Sequence, residues 1–142
     1  MKRLPAILLT AAAAATLFAA GNGPGIQANN DLLMIKMPGQ YIRNHNDRLN
    51  LSPEQFTTLM ENVHPLMHET YVAKMDEVEA VEKELRKALL QGTPLKTLEP
   101  KLKELAQLKL EATTIKLTAF EGFRKTMTKE QWKMVVGMMK RK

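Results

Sequence analysis

A short phrase that occurs twice places the strongest constraint on how this chain can fold. It reads LSPEQF at 51–56 and MTKEQW at 127–132. In each copy, a hydroxyl residue that can cap a helix N-terminus is followed three residues later by a glutamine. That glutamine can bond back to the N–H of the cap residue, and the apolar residues at the two ends can pack together as a staple. We therefore predict two helix starts, with caps Ser52 and Thr128, partners Gln55 and Gln131, and staple residues Leu51, Phe56, Met127 and Trp132.

The spacing of apolar residues at steps of three and four predicts an all-α fold of four helices. The helices would cover about 32–49, 52–90, 93–125 and 128–140. We expect Pro38 and Gly39 to interrupt the first helix or delay its start, and Pro100 to split off the first turn of the third.

The second predicted helix is long and contains a proline. Pro65 lacks an amide hydrogen and crowds the preceding turn, so we expect a kink near Asn62. Gly92 can adopt the left-handed conformation that ends a helix. Thr93 and Pro94 would then begin the third helix as its N-cap and first helical residue.

Charge is distributed unevenly along the chain. There are 7 basic and 10 acidic side chains from 22 to 93, and 12 basic and 5 acidic from 94 to 142. Because only a short turn separates the two long helices, they should pack antiparallel, with the acidic segment 76–84 beside the basic segment 101–109. The basic surface suits acidic clients or membrane surfaces, and we expect no nucleic-acid partner. Long helices bury little surface, so we also expect a homodimer.

The N-terminal residues have the pattern of an export signal. Lys2 and Arg3 precede an uncharged apolar run that ends in small residues, which predicts a signal peptide over 1–21. An uncleaved anchor is the alternative, since the run is only just long enough to span a bilayer. We expect 22–31 to be a flexible lead-in and 32–142 a single helical domain. The sequence has no cysteine, so neither a disulfide nor a thiolate metal site can form.

The two phrases resemble the LTxxQ-type motifs of the Spy/CpxP family of periplasmic chaperones. In that family, one motif stands near the start of a long helix and the other before a short last helix. Related periplasmic heavy-metal resistance and sensor proteins share the layout. Ser52 stands where the strict motif has threonine, and Met127 where it has leucine. The resemblance implies a bent, hairpin-like dimer in a Gram-negative-type periplasm, with a role in the envelope stress response.

The resemblance implies an ATP-independent chaperone of unfolded or misfolded envelope proteins that requires no cofactor. The sequence shows no catalytic constellation, so we do not expect an enzyme. Basic side chains would attract clients, and Met, Leu and aromatic side chains would hold them weakly. The basic candidates are Arg43, Arg48, Lys101, Lys103, Lys109 and Lys116. An alternative is a CpxP-like inhibitor that docks on the periplasmic domain of a sensor kinase.

A second alternative is a metal-binding protein for heavy-metal resistance or sensing. His64 and His68 project from one side of a helix and could hold copper or zinc, and Met60 and Met67 could add thioether ligands. The related sensors also use ligands just before the second motif, where this chain offers only Glu121. The reading in which both histidines are ordinary surface residues stays open.

Overall fold

A computed structural model describes residues 30–141, and these are helical wherever they form regular secondary structure. The predicted signal peptide, and most of the predicted lead-in, lie outside the described residues. The helices are α1 (Pro38–Asn44), α2 (Asn46–Leu49), α3 (Pro53–Thr58), α4 (Val72–Leu90), α5 (Leu95–Thr126) and α6 (Lys129–Lys140). Two π-helical stretches, π1 (Leu59–Val63) and π2 (Leu66–Tyr71), connect α3 to α4, so that 53–90 is one long bent helix.

The all-α class is confirmed, but the first predicted helix is wrong in its N-terminal part. Residues 32–37 are not helical. Helix α1 starts only at Pro38, which takes the first helical position, where its missing N–H costs no bond. A break at His45 then separates α1 from α2, and Asn50 ends α2 with a left-handed φ of 51°. We call the non-helical segment 30–37 the strap.

The long helix accommodates Pro65 by changing its hydrogen bonding. Pro65 lies between π1 and π2, and the amide of His64 donates to the carbonyl of Leu59, five residues back. Proline cannot donate and its ring crowds the carbonyl four residues before it, so wider π turns relieve the clash without ending the helix. We predicted a kink near Asn62, and the structure has two π-helical stretches there, one on each side of Pro65.

Gly92 forms the turn between α4 and α5. We call this end of the hairpin, residues 86–96, the tip. Gly92 has a φ of 80°, and its amide and that of Thr93 donate to carbonyls at the end of α4, each at 3.0 Å. This is the Schellman arrangement that glycine permits at a helix C-terminus. Thr93 is not the N-cap of α5, because Pro94 takes that place with an extended backbone. Helix α5 therefore begins one residue later than predicted.

Helix α5 runs antiparallel to the long helix, as predicted. Pro100 lies inside α5 and does not split it. Three ion pairs between the helices mark the register: Lys101–Glu84 at 2.7 Å, Lys109–Glu82 at 2.9 Å and Lys74–Glu111 at 3.1 Å. The first two join the basic segment 101–109 to the acidic segment 76–84, so the charge pairing read from the sequence is present.

The hydrophobic core is thick at one end of the hairpin and thin towards the tip. The main cluster draws on α1, α2, the long helix, α5 and α6, and includes Ile42, Leu49, Leu59, Val63, Tyr71, Phe123 and Val135. A small separate cluster of Val81, Leu85 and Leu98 lies nearer the tip. Gly122 lets α5 approach π1 closely, since a Cβ there would lie 2.8 Å from Val63 Cγ2. Over the described range, no helix has both the length and the hydrophobicity needed to cross a membrane.

Candidate functional site

Both predicted capping boxes are present. The Ser52 hydroxyl accepts from the Gln55 amide at 3.1 Å, and Gln55 Oε1 accepts from the Ser52 amide at 2.8 Å. Thr128 and Gln131 make the same two bonds at 3.1 Å and 2.9 Å. Each predicted staple has one buried residue and one half-buried residue at the main cluster: Leu51 with Phe56, and Met127 with Trp132.

The two motif glutamines also bind each other. Gln55 Nε2 donates to Gln131 Oε1 at 2.6 Å, and Gln131 Nε2 donates to Gln55 Oε1 at 3.2 Å. Each amide nitrogen also reaches the helix end that precedes the other motif. Gln55 donates to the carbonyl of Thr126 at 2.9 Å, and Gln131 to the carbonyl of Leu49 at 3.0 Å. This pair, the glutamine clasp, joins the starts of α3 and α6 to the ends of α5 and α2.

The clasp explains why glutamine is needed at both positions. A side-chain amide has two N–H donors and an oxygen that accepts two bonds, and all of these are used in both residues. Glutamate could also complete a capping box, but it cannot donate to a carbonyl. The sequence identified both glutamines, but it gave no sign of their pairing across 76 residues.

A buried ion pair holds the strap against the hairpin. The Asp31 carboxylate accepts from Lys116 Nζ at 2.6 and 2.7 Å and from the Tyr71 hydroxyl at 2.9 Å. The side chains of Asp31 and Lys116 have no exposed surface, and Lys116 also donates to the carbonyl of Leu33. Burial and the bond to Asp31 raise the pKa of Tyr71 well above its usual range. The strap is therefore anchored from both long helices.

Lys116 was predicted to attract clients, and that prediction is wrong because the side chain is fully buried. Its role is to neutralise Asp31 inside the fold. One sequence signal could have shown this: Lys116 lies on the same face of α5 as the buried residues Ala112 and Ala119. The signal could not identify the partner, which is 85 residues away in the sequence.

The other five basic candidates divide into two groups. Lys101 and Lys109 are engaged in the ion pairs of the hairpin. Hydrogen bonds to Glu84 and then to Glu104 raise the pKa of Lys101. The remaining three are at the surface: Arg43 is half-exposed, while Arg48 and Lys103 are exposed.

A row of leucines is exposed on α5 away from the core. Leu102 and Leu110 are each 50% exposed and Leu117 is 40% exposed. Steps of eight and seven residues bring them to one side of the helix. We call this row the leucine face. The sequence analysis did not identify it, because a leucine exposed on a helix has the same spacing signal as one that points into a core.

The strap extends the leucine face. The amide of Leu32 donates to the Thr113 hydroxyl at 2.9 Å, and Thr113 lies between Leu110 and Leu117 along α5. Three consecutive strap residues are exposed there: Leu32, Leu33 and Met34. The strap therefore adds apolar surface beside the row of leucines.

The methionines contribute less to the surface than the sequence predicted. Met34 is exposed. Four others are buried: Met67, Met75, Met127 and Met138. Four more are half-buried and pack against the main cluster: Met37, Met60, Met134 and Met139. Their flexible thioethers therefore serve mainly to fill the core.

His64 and His68 lie side by side in the π-helical part of the long helix. Their ring centroids are 4.2 Å apart, with the planes tilted by 31°. Burial, and then the nearby His64, lower the pKa of His68, which favours the neutral ring that a metal ion requires. Of the predicted thioether ligands, Met67 is buried in the main cluster and Met60 packs against it. In the part of the chain that the structure describes, no group of three His, Asp or Glu residues is arranged to hold a metal ion.

Comparisons of the chain with protein-family models, with curated proteins and with solved structures gave no match. The resemblance to the Spy/CpxP family therefore stays a prediction made from the two motifs and the export-signal pattern.

Proposed function

We propose that this protein is an ATP-independent periplasmic chaperone that binds unfolded envelope proteins. The observation that carries the proposal is the leucine face, a row of exposed apolar side chains on a thin helical hairpin. Soluble proteins rarely leave connected apolar surface uncovered unless it serves an interaction. An unfolded chain presents short apolar segments at irregular spacing, and such a row can contact them without requiring one bound conformation.

An exposed cation beside the leucine face supports the same proposal. Lys103 is exposed and directly follows Leu102 in α5. Charges of this kind steer oppositely charged chains towards a surface and mainly raise the association rate. The proposed mechanism is therefore electrostatic attraction followed by weak apolar contact, with release that requires no nucleotide.

The first prediction concerns capture of unfolded protein. Replacing Leu102, Leu110 and Leu117 together by glutamine is expected to abolish suppression of client aggregation, because the apolar contacts are lost. Leucine and glutamine have similar helix propensity, so the fold should be kept. The measurement is light scattering of a chemically unfolded client mixed with purified protein, with circular dichroism and melting temperature as checks on the fold.

The control replaces two exposed leucines at the end of α4, Leu89 and Leu90, by glutamine. These leucines lie outside the leucine face, so this variant should retain full activity. Activity should also be independent of ATP and should weaken as salt screens exposed charges beyond about 8–10 Å. An inactive wild type at low salt, or equal loss of activity in the leucine-face variant and the control, would contradict the proposal.

The stacked histidines support a second candidate function, the binding of copper or zinc at the long helix. Both rings must be neutral to coordinate, so affinity is expected to fall at acidic pH, as the rings become protonated. Because the pKa of His68 is lowered, that ring should stay neutral at a pH where a free histidine is protonated. Titration calorimetry at several pH values would measure the effect.

The chain offers a control for this metal prediction in its third histidine, His45. The double variant His64→Ala/His68→Ala should lose the binding heat, while His45→Ala should keep it. Equal binding in all three proteins, or no heat with either ion, would leave His64 and His68 without a metal-binding role.

A further inference from the structure

We infer that the tip of the hairpin docks on the anionic surface of a phospholipid bilayer. The tip is where α4 ends and α5 begins, at the thin end of the molecule. Three leucines at its apex are largely exposed: Leu89 is 60% exposed, Leu90 is 90% and Leu95 is 68%. The apex contains none of the three leucines of the leucine face, although Leu95 precedes Leu102 by seven residues and lies on the same side of α5.

The charge of the tip complements a negatively charged surface. No acidic residue occurs between Glu84 and Glu99, while Arg86, Lys87 and Lys96 fall within that interval. All three cations are exposed. Arg86 makes a long ion pair with Glu82 at 3.6 Å. For Lys87 and Lys96, the described residues contain no ion-pair partner, so their charge is available to an external anion.

The leucines lie at the apex and the cations lie farther from it, which matches the order of acyl chains and phosphates in a membrane interface. Apolar side chains can enter the boundary between headgroups and acyl chains, while lysine and arginine remain level with the phosphates. Each basic residue near an anionic leaflet adds about 1 kcal/mol of attraction, roughly a fivefold gain in affinity. Three cations and three leucines together can therefore give reversible binding.

The backbone of the tip is also suited to a partly dry environment. An unpaired backbone group is costly wherever water is scarce. At the apex, the amides of Gln91, Gly92 and Thr93 already donate to carbonyls of α4, at 3.0–3.1 Å. These three amides need no water partner, which lowers the cost of placing the turn among lipid headgroups.

A second copy of the chain fits the tip less well. Burial of a leucine side chain corresponds to about 60–120 Å² of apolar surface. The three leucines therefore offer less than about 400 Å², roughly half of what each partner contributes to a standard protein interface. The clustered like charges would also repel an identical tip. Binding to a bilayer does not require a large flat interface on the protein, because lipids surround each side chain that inserts.

The test places a fluorescent label at the apex. Because the sequence contains no cysteine, Leu90→Cys introduces a single attachment site for an environment-sensitive dye. Leu117→Cys gives the matched control on the leucine face. Both proteins share the same N-terminus, so any contribution of residues 1–29 is common to the two. The probes are vesicles of phosphatidylcholine alone and vesicles that also contain phosphatidylglycerol.

We expect the label at position 90 to shift to shorter wavelength with the anionic vesicles and to be quenched by a lipid-attached quencher. The label at position 117 should show neither effect. Lys87→Glu/Lys96→Glu, made in the Leu90→Cys protein, should weaken vesicle affinity at least tenfold. Lys129→Glu/Lys133→Glu, which changes the net charge equally on α6, should leave it within a factor of two or three.

Four results would overturn the inference. The label at position 90 could fail to respond to anionic vesicles, or respond equally to neutral ones. It could shift with rising protein concentration in the absence of lipid, which would make the tip a contact between copies. It could respond to an unfolded protein and not to vesicles, which would make the tip part of the client surface. Vesicle binding and aggregation suppression use different leucines, so either proposal can fail while the other stands.

Discussion

Lys116→Met is expected to lower the free energy of unfolding by about 3–5 kcal/mol, because it leaves a buried carboxylate without its counter-charge. In the native protein the Asp31 side chain is fully buried and bonds to Lys116 and Tyr71. Without the lysine, only the tyrosine and a backbone amide remain to stabilise the charge. Urea unfolding followed by circular dichroism would measure the loss.

Two further variants separate the buried charge from ordinary packing. Asp31→Asn/Lys116→Met removes both charges and should be more stable than Lys116→Met alone, since no uncompensated ion remains. Lys109→Met removes a lysine of the same helix that also bonds to the strap, through Asn30, but is partly exposed. It should cost no more than about 1 kcal/mol. Equal losses in the Lys109 and Lys116 single variants would contradict this account of the buried pair.

Gln55→Glu is expected to destabilise the protein by about 2 kcal/mol even though glutamate can complete a capping box. The substitution keeps the acceptor that caps Ser52 but removes the donors to Thr126 and Gln131. It also places a carboxylate beside two acceptor oxygens, both of which lose the bond from Gln55 Nε2. If capping were the whole function of Gln55, glutamate would be nearly neutral. The midpoint of urea unfolding distinguishes the two outcomes.

A double-mutant cycle with Gln55→Ala and Gln131→Ala tests whether the clasp acts as a unit. Each single variant should cost about 2–3 kcal/mol, since a cap and further hydrogen bonds are lost together. The double variant should cost less than the sum, by about 1–2 kcal/mol, because the second loss removes bonds already broken. Gln107→Ala, at an exposed position of α5, should be neutral within about 0.5 kcal/mol. Normal stability combined with lost client binding would mean that the glutamines contact a partner.

The sequence predicted local features well because their causes are local. A capping box depends on residues three apart, and a glycine stop on one backbone angle, so the starts at Ser52 and Thr128 and the turn at Gly92 were predictable. The antiparallel pairing of the two long helices followed from the short turn between them and from the placement of charge. The effect of Pro65 was predictable as an irregularity, but the choice of π turns depends on how the surrounding helix packs.

The features that the sequence did not reveal depend on contacts between distant segments. Lys116 resembles any helix lysine until Asp31 is placed beside it, and the strap has no periodicity from which to predict its path. The exposed leucines of α5 have the spacing of a core stripe, and only the position of the other helices shows which stripe is covered. The predicted dimer and the predicted client binding also depend on contacts with another chain, so both stay predictions.

The glutamine clasp also bears on the order in which the chain can fold. Its two halves are 76 residues apart, and the hairpin between them is built from contacts that are much closer in sequence. Closing so long a loop is entropically slow, whereas a helical hairpin with short-range contacts forms early. The side-chain N–H groups of Gln55 therefore cannot form the clasp until residue 131 has been synthesised. We expect a chain that ends before Gln131 to form the half of the hairpin nearer the tip, while the wide end stays unfolded. Addition of the last helix would then complete the fold.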